Sequence, residues 1–211
     1  MREQRVRFDS GQVNLEGIVG FPDSGGPFPA VVVCHPHPLY GGDMYNNVVG
    51  TVCAALVQSS LVAFRFNFRG VGNSRGEFGG GVGEQDDVRA AIAYLPTLDI
   101  VDPGRIGFAG YSAGAGFGIP VACNDDRVKA VAAVSPPLSM FDFDSLLKCD
   151  KPGLLVSGDR DDFTPVERFG EFCQGVSGPV EFVVIEGADH FWWGREIEVA
   201  DRVAEFFDRS L

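Results

Sequence analysis

The chain has 211 residues, of which 45% are hydrophobic and 22% charged, so it is long enough to bury a substantial core and too apolar to remain disordered. Its 29 acidic residues against 17 lysines and arginines give a net charge of −12. Such a field repels polyanions, and we therefore expect neither nucleic acid nor a membrane surface as a partner. Only three histidines are present, so any imidazole chemistry has three candidate residues.

The cysteines are spread along the chain without a Cys-x-x-Cys pair, at Cys34, Cys53, Cys123, Cys149 and Cys173. An odd and unclustered set is not typical of a secreted disulfide framework or of a zinc site. No signal-peptide core follows the first residues, and no apolar run is long enough to span a bilayer. We therefore expect a reduced, cytoplasmic protein that needs no cofactor.

The hydrophobic pattern predicts strands and helices that alternate over most of the chain. The first two strands alternate apolar and polar residues, whereas several later ones are continuous apolar runs, as expected for strands covered on both faces. The predicted strands are 6–8, 13–21, 29–35, 61–68, 105–110, 128–135, 153–157 and 180–185. The predicted helices are 44–58 with Asp43 as its cap, 84–95, 113–123, 143–148, 166–174 and 196–210.

This alternation predicts an α/β fold with a mostly parallel, twisted sheet of about eight strands and helices on both faces. The first two strands are expected to add an antiparallel hairpin at one edge. No linker, repeat or low-complexity block interrupts the pattern, so residues 1–211 are predicted to form one domain. Catalytic residues of such a sheet are expected on loops at the carboxyl ends of strands.

Two segments match Gly-x-Ser-x-Gly, a motif in which a sharp strand-to-helix turn exposes a serine hydroxyl. Ser112, in segment 110–114, directly follows a predicted strand and begins a predicted helix. Ser74, in segment 72–76, lies in the middle of a glycine-rich loop. The strand–turn–helix context favours Ser112 as the nucleophile and makes Ser74 a loop residue.

A serine nucleophile needs a base to take its proton, and His190, just after the last predicted strand, is the candidate. Segment 158–165 follows another strand and offers three carboxylates that could orient the imidazole, Asp159, Asp161 and Asp162. The chain order of serine, aspartate and histidine is the one found in α/β-hydrolase triads. The sequence therefore predicts a catalytic triad built on three separate loops.

A tetrahedral intermediate needs two backbone N–H donors, of which one is expected from Ala113, the residue after the nucleophile. The second is expected from His-Pro-His-Pro at 35–38, at the end of an early strand. Proline has no N–H, so His37 is the preferred donor, and His35 is left with a structural role. The two histidines could instead hold a metal, but no third ligand has a compelling spacing, and no metal site is predicted.

Together these motifs resemble the α/β-hydrolase superfamily, and in particular the small bacterial lidless serine hydrolases related to dienelactone hydrolases and acyl-peptidase-like esterases. The resemblance covers essentially the whole chain. It is carried by His-Pro-His-Pro at 35–38 with glycines at 41–42, Arg-Phe-Asn-Phe-Arg-Gly-Val-Gly at 65–72, Gly-Tyr-Ser-Ala-Gly at 110–114 and Gly-Ala-Asp-His at 187–190.

The resemblance implies that the triad acid is Asp161, in a Gly-x-x-Asp-x-x-x-Pro loop completed by Pro165, with Asp162 as the alternative. Dienelactone hydrolases have a cysteine nucleophile, so the serine at position 112 argues against that activity. Family members with a cap domain usually insert it before the strand at 153–157. Here that connection has room for one short helix, which predicts an open site without a cap.

Apolar side chains near the triad are predicted to line an acyl pocket: Leu39, Tyr40, Tyr111, Phe141, Phe163, Phe191 and Trp192. The resulting hypothesis is a carboxylesterase-like serine hydrolase that cleaves small, short-acyl esters through an acyl-enzyme. An acyl-aminopeptidase or a thioesterase is the alternative, and a non-catalytic binding protein of the same fold is a third hypothesis. Segment 191–193 could cover a pocket or form a homodimer contact, and the oligomeric state is left open.

Overall fold

The alternating pattern folds into a single continuous sheet in the computed structural model, which describes residues 2–23 and 25–211. Its eight strands are β1 (Arg2–Ser10), β2 (Val13–Phe21), β3 (Phe28–Cys34), β4 (Val62–Phe66), β5 (Val101–Tyr111), β6 (Val128–Val134), β7 (Gly153–Arg160) and β8 (Val180–Asp189). They lie in the order β1-β2-β4-β3-β5-β6-β7-β8. The hairpin β1–β2 and the pair β2–β4 are antiparallel, and the other pairs are parallel. The predicted sheet architecture is therefore confirmed.

Helices cover both faces of this sheet, as predicted. They are α1 (Asn47–Gln58), α2 (Val82–Tyr94), α3 (Ala113–Ala122), α4 (Asp144–Leu147), α5 (Val166–Gly175) and α6 (Glu196–Ser210). Successive side chains of a strand point to opposite faces of the sheet. In β3, Val31 and Val33 therefore pack in the core layer beneath α1 and α6. The alternate residues, Ala30 and Val32, pack in the layer beneath α2 and α3. Within the described residues, no helix is both long enough and apolar enough to cross a membrane.

The connection between β6 and β7 contains one helix, the four-residue α4. This is the place where a cap domain would be inserted, so the prediction of a fold without a cap is confirmed. The carboxyl ends of β3, β5, β7 and β8 are consequently not covered by an additional layer. The loops that follow these strands carry the predicted site residues.

The start of α1 differs from the sequence prediction, which placed it at residue 44 with Asp43 as the cap. The Asp43 carboxylate instead accepts a hydrogen bond from the Tyr45 amide at 2.8 Å, which forms a local turn. The side chain of Asn46 accepts from the Val48 and Val49 amides and caps the helix. A side-chain oxygen that binds the first free amides is what fixes a helix start, and here Asn46 does so instead of the predicted Asp43.

Candidate active site

Ser112 lies on the turn between β5 and α3 with a φ of 53° and a ψ of −123°. A positive φ is unfavourable for a residue other than glycine and is typical of strained functional turns. Both glycines of the motif make this turn possible. A Cβ on Gly110 would lie 2.5 Å from the backbone of Ala115, and one on Gly114 would lie 2.5 Å from the carbonyl oxygen of His35. The start of α3 is therefore packed directly against the loop that follows β3.

Ser112, His190 and Asp161 form a continuous hydrogen-bonded chain. The Oγ of Ser112 is 2.9 Å from Nε2 of His190, and Nδ1 of His190 is 2.9 Å from each carboxylate oxygen of Asp161. Asp161 lies in the loop after β7, and His190 directly follows β8. All three residues are buried, with 8% of Ser112, 7% of His190 and 3% of Asp161 exposed. The structure thus brings together the three residues that the sequence predicted as the triad.

The environment of Asp161 keeps its carboxyl group ionised. Burial acts to raise the pKa of Asp161, but hydrogen bonds from His190, Ser135 and the Phe163 amide outweigh it and hold the pKa below its ordinary value. The amides of Phe163 and Thr164 each donate to Oδ1 at 2.9 Å. A carboxylate held in this way accepts a hydrogen bond from the Nδ1–H of His190 and leaves Nε2 free to face the serine.

The other two carboxylates of this loop occupy different places. Asp162 is exposed to solvent. Asp159 accepts a hydrogen bond from the Gly187 amide at 2.6 Å and joins the ends of β7 and β8. Of the three candidates, the structure therefore places Asp161 on the imidazole, as the family resemblance implied.

Tyr111 contributes to the position of the imidazole in a way that the sequence did not indicate. Its hydroxyl donates to the backbone carbonyl of His190 at 2.7 Å. Burial raises the pKa of Tyr111, and the nearby charges of Asp161 and Asp189 act in the same direction. The phenol thus remains protonated and anchors the backbone of the residue that faces Ser112.

His35 is fully buried between backbone groups. Its Nε2 accepts a hydrogen bond from the Phe68 amide at 3.1 Å, so Nδ1 carries the proton and donates to the carbonyl oxygen of Pro36 at 2.7 Å. Burial lowers the pKa of His35 to about 4. The ring is therefore neutral and structural, as the sequence predicted, and both of its nitrogens are occupied. In the described residues, no group of three or more histidine, cysteine or acidic side chains could hold a metal ion.

The hydrogen bond from His35 fixes the peptide unit that contains the predicted oxyanion donor. The carbonyl of Pro36 and the N–H of His37 belong to the same planar peptide, so holding the carbonyl also sets the direction of the N–H. The second predicted donor, Ala113, is the first residue of α3, where the amide has no partner within the helix. Both residues line the cavity that contains Ser112.

That cavity has a volume of about 430 Å³ and a mostly apolar lining. Five of the predicted pocket residues line it: Tyr40, Tyr111, Phe141, Phe163 and Phe191. Lining residues that the sequence did not indicate include Asn46, Pro137 and Met140. They lie on the loops after β3 and β6, and no motif marks them. We call this space the catalytic cavity.

Two predicted pocket residues do not line the catalytic cavity, and the prediction for them is wrong. Leu39 is 66% exposed, on the outer side of the 3₁₀ turn Pro38–Tyr40. Trp192 is fully buried beneath α6, and its indole N–H donates to Oγ of Ser135 at 3.1 Å. The turn after β8 gives Trp192 a φ of 61°, which directs its side chain into the core while Phe191 faces the cavity.

Ser74, in the second Gly-x-Ser-x-Gly segment, has a purely structural environment. It is buried, its Oγ accepts from the Glu16 amide at 3.0 Å, and it donates to the carbonyl of Asn67 at 2.7 Å. A hydroxyl engaged on both sides with backbone groups is not available as a nucleophile. The structure therefore agrees with the assignment of Ser74 as a loop residue.

A serine on the sharp turn after β5, with an aspartate after β7 and a histidine after β8, defines an α/β-hydrolase. The family model for X-Pro dipeptidyl-peptidase (S15 family) matches residues 10–148. The chain belongs to this family. Its fold and family make it an esterase-like α/β-hydrolase.

Solved structures and a relative of similar size support this assignment. An alpha-beta serine hydrolase homologue from Coxiella burnetii is 37% identical with a TM-score of 0.89, over 97% of each chain. XC6422 from Xanthomonas campestris, a serine hydrolase without a lid, is 27% identical with a TM-score of 0.87, over 100% of this chain and 96% of that one. An uncharacterized protein of Rickettsia prowazekii is 31% identical over 186 residues, which is 84% of this chain and 78% of that protein.

Proposed function

We propose that the protein is a serine hydrolase that cleaves small, short-acyl carboxylic esters through an acyl-enzyme. The observation that carries this proposal is the hydrogen-bonded chain from Ser112 through His190 to Asp161, which opens into an apolar cavity. A serine hydroxyl becomes an effective nucleophile when a base within hydrogen-bond reach takes its proton. A distance of 2.9 Å between Oγ and Nε2 meets that requirement.

In the proposed reaction, Ser112 attacks the ester carbonyl while His190 takes the hydroxyl proton. The negative charge that develops on the carbonyl oxygen is stabilised by the amides of His37 and Ala113. His190 then gives its proton to the leaving alkoxide, and the Asp161 carboxylate stabilises the imidazolium throughout. Water hydrolyses the acyl-enzyme by the same steps, with His190 again as the base.

The lining of the catalytic cavity supports a small, uncharged acyl group. Its side chains are aromatic, aliphatic or amide groups apart from the two histidines, Ser112 and Met140, and lysine, arginine, aspartate and glutamate are absent among the lining residues. An anionic acyl group would lose its hydration there without gaining a counter-ion. A small, neutral acyl group fits this lining best.

The family assignment favours one alternative, the hydrolysis of an amide bond, because the matched family model is that of a dipeptidyl-peptidase. The triad and oxyanion donors would serve an amide as well as an ester or a thioester. Rates measured side by side on a p-nitrophenyl ester, the corresponding thioester and the p-nitroanilide of the same acyl group would rank these activities. We expect the ester to have the highest kcat/KM.

The decisive experiment compares two serines of the same sequence motif. We expect Ser112→Ala to lower kcat for p-nitrophenyl butyrate by a factor of about 10³ or more, because removing a triad member removes the nucleophile. Ser74→Ala is the matched control. It should lower the free energy of unfolding by about 1–3 kcal/mol through its lost backbone hydrogen bonds, with kcat within a few-fold of the unmodified protein.

Both variants are to be assayed below their unfolding temperatures and treated with a fluorophosphonate probe. Labelling of the unmodified protein and of Ser74→Ala, but not of Ser112→Ala, is the expected result. Retention of turnover or labelling by Ser112→Ala would mean that another residue is the nucleophile, and the proposal would fail.

A further inference from the structure

A second cavity, of about 490 Å³, adjoins the catalytic cavity. The two share His37, Met140 and Phe141 as lining residues, whereas Ser112 and His190 line the catalytic cavity alone. We call the second space the distal cavity. It lies between the start of α2 and α3, where Gln85 and Phe117 line it.

Aromatic rings form one side of the distal cavity, and the rest of its lining includes the polar side chains of Gln85, Asp142 and Ser145. Phe117 is in edge contact with Phe141, with ring centroids 5.2 Å apart, and Phe78 lies 5.1 Å from the ring of His37. Gly116 makes this arrangement possible, because a Cβ there would lie 2.4 Å from the Phe141 ring. Phe141 can therefore lie close against α3 and face both cavities. Rings that present edges and faces in this way are suited to another aromatic group.

The lining of the distal cavity carries a negative charge, whereas the charges of Glu84 and Arg69 behind it interact with each other. Asp142 is a lining residue, and no lysine or arginine is among the lining residues. Glu84 is buried beside the cavity wall, where its carboxylate accepts from the amides of Gly79 and Gly81 at 2.8 and 2.7 Å. An anionic group would be repelled by the Asp142 carboxylate, whereas an uncharged aromatic ring would pack against the aromatic side of the cavity without this repulsion.

The positions of the two histidines indicate which half of an ester could reach the distal cavity. The leaving oxygen must lie against His190, which gives it a proton. The acyl substituent then extends from Ser112 away from His190. The wall on that side is formed by His37 and Phe141, and the distal cavity continues beyond it.

We propose that the distal cavity is an acyl subsite for uncharged, aryl-terminated acyl groups, so that the preferred esters are those of phenylalkanoic acids. This inference rests on the proposed serine-hydrolase function but departs from its short acyl group, because a phenylalkanoyl chain extends beyond the catalytic cavity into the distal cavity. The carbonyl and the first part of the chain occupy the catalytic cavity. The terminal ring passes Phe141 and packs against Phe78 and Phe117.

The test compares p-nitrophenyl 5-phenylpentanoate with p-nitrophenyl pentanoate, which differ only by the terminal ring. We expect kcat/KM to be roughly tenfold or more higher for the phenyl ester, as is usual for an added apolar group in a matching pocket. Gln85→Trp, which fills the distal cavity, should reduce this ratio to near one and leave the pentanoate rate unchanged. Gln85→Ala is the matched control and should retain the ratio.

Two further variants separate filling of the cavity from other effects. Arg89→Trp places the same ring on the exposed face of α2, outside the cavity, and should retain the preference. Val82→Trp fills the cavity from the preceding turn of α2 and should abolish the preference if Gln85→Trp is poorly folded. If the preference for the phenyl ester survives in every filling variant that folds, the proposed acyl subsite is wrong. An equal loss of kcat/KM for both esters in these variants would also contradict it.

The alcohol half of the ester provides the remaining control. Hydrolysis of 5-phenylpentyl acetate relative to pentyl acetate, followed by pH-stat, should not change in Gln85→Trp. A change confined to this pair would place the leaving group in the distal cavity and contradict the proposal. Failure of the serine-hydrolase function is distinguishable, since turnover of p-nitrophenyl pentanoate would then be absent or would survive in Ser112→Ala. Failure of the subsite alone leaves that turnover intact and dependent on Ser112.

Discussion

His35 and His190 each follow the end of a strand and are both buried, yet their ring nitrogens face different partners. Nδ1 of His190 faces the carboxylate of Asp161, which stabilises an imidazolium. Nε2 of His35 accepts a hydrogen bond from the Phe68 amide, which it could not do if it carried a proton itself. One histidine is therefore able to carry a proton during turnover, and the other is held neutral as part of the scaffold.

The neutral state of His35 makes the stability of the protein depend on pH. Its pKa is lowered from an ordinary 6.5 to about 4 in the folded chain, so between these values the unfolded state binds the additional proton. Stability must then decrease as the pH falls through this window. For His35 alone, we expect the free energy of unfolding to fall by about 2 kcal/mol between pH 7 and pH 5.

Urea unfolding at the two pH values, on the unmodified protein and on His35→Gln, isolates this contribution. The variant retains His37 and His190, so the difference between the two pH dependences belongs to residue 35. His35→Gln should be less stable at pH 7 and should lose about 2 kcal/mol less on acidification. An unchanged pH dependence in the variant would show that His35 is not held neutral.

At the scale of elements, the site depends on the close approach of α3 to the end of β3. Gly114 contacts the carbonyl oxygens of Cys34 and His35, and these backbone atoms cannot move independently of the loop that carries His37. A methyl group there must separate Ala113 from His37, which are the two proposed oxyanion donors. The loss of one such donor costs about 10²–10³ in kcat.

We therefore expect Gly114→Ala to lower kcat for a p-nitrophenyl ester by about 10²-fold, with a smaller change in KM. Gly50→Ala in α1 is the matched control, because a Cβ there meets no atom within 4 Å. Replacing a glycine inside a helix by alanine should stabilise the protein by about 0.5–1 kcal/mol and leave kcat unchanged. Normal turnover in Gly114→Ala would show that the contact with β3 does not position the donors.

The elements and the hydrogen-bonded set of Ser112, His190 and Asp161 were predictable because each has a local signal, namely an apolar run, a helical period or a motif after a strand. The features that could not be predicted depend on the direction in which individual side chains point. Asp43 is the predicted cap of α1, and the hydrogen bonds to the first amides of the helix are made by Asn46 instead. Phe191 and Trp192 are adjacent aromatics, and the positive φ of Trp192 decides which ring enters the core. The roles of Tyr111 and Phe141 likewise arise from contacts between distant elements.

At the scale of the whole molecule, the net charge of −12 acts on any substrate that approaches the site. The lining of the two cavities includes no lysine or arginine that would offset this charge locally. Charges separated by more than the Debye length are screened, and this length falls from about 30 Å at 0.01 M salt to about 10 Å at 0.1 M. An anionic ester should therefore be repelled most strongly at low ionic strength.

This repulsion can be measured with the monoanionic p-nitrophenyl ester of adipic acid and with neutral p-nitrophenyl pentanoate, both at constant pH. We expect kcat/KM for the anionic ester to rise roughly threefold or more between about 0.01 and 0.3 M sodium chloride, because added salt removes the long-range repulsion. The neutral ester is the control for direct effects of salt on the triad, and its kcat/KM should remain constant. The effect on the anionic ester should appear in KM rather than in kcat, since the field acts on approach and binding. A rate for the anionic ester that falls with added salt would instead indicate a cationic binding group near the site.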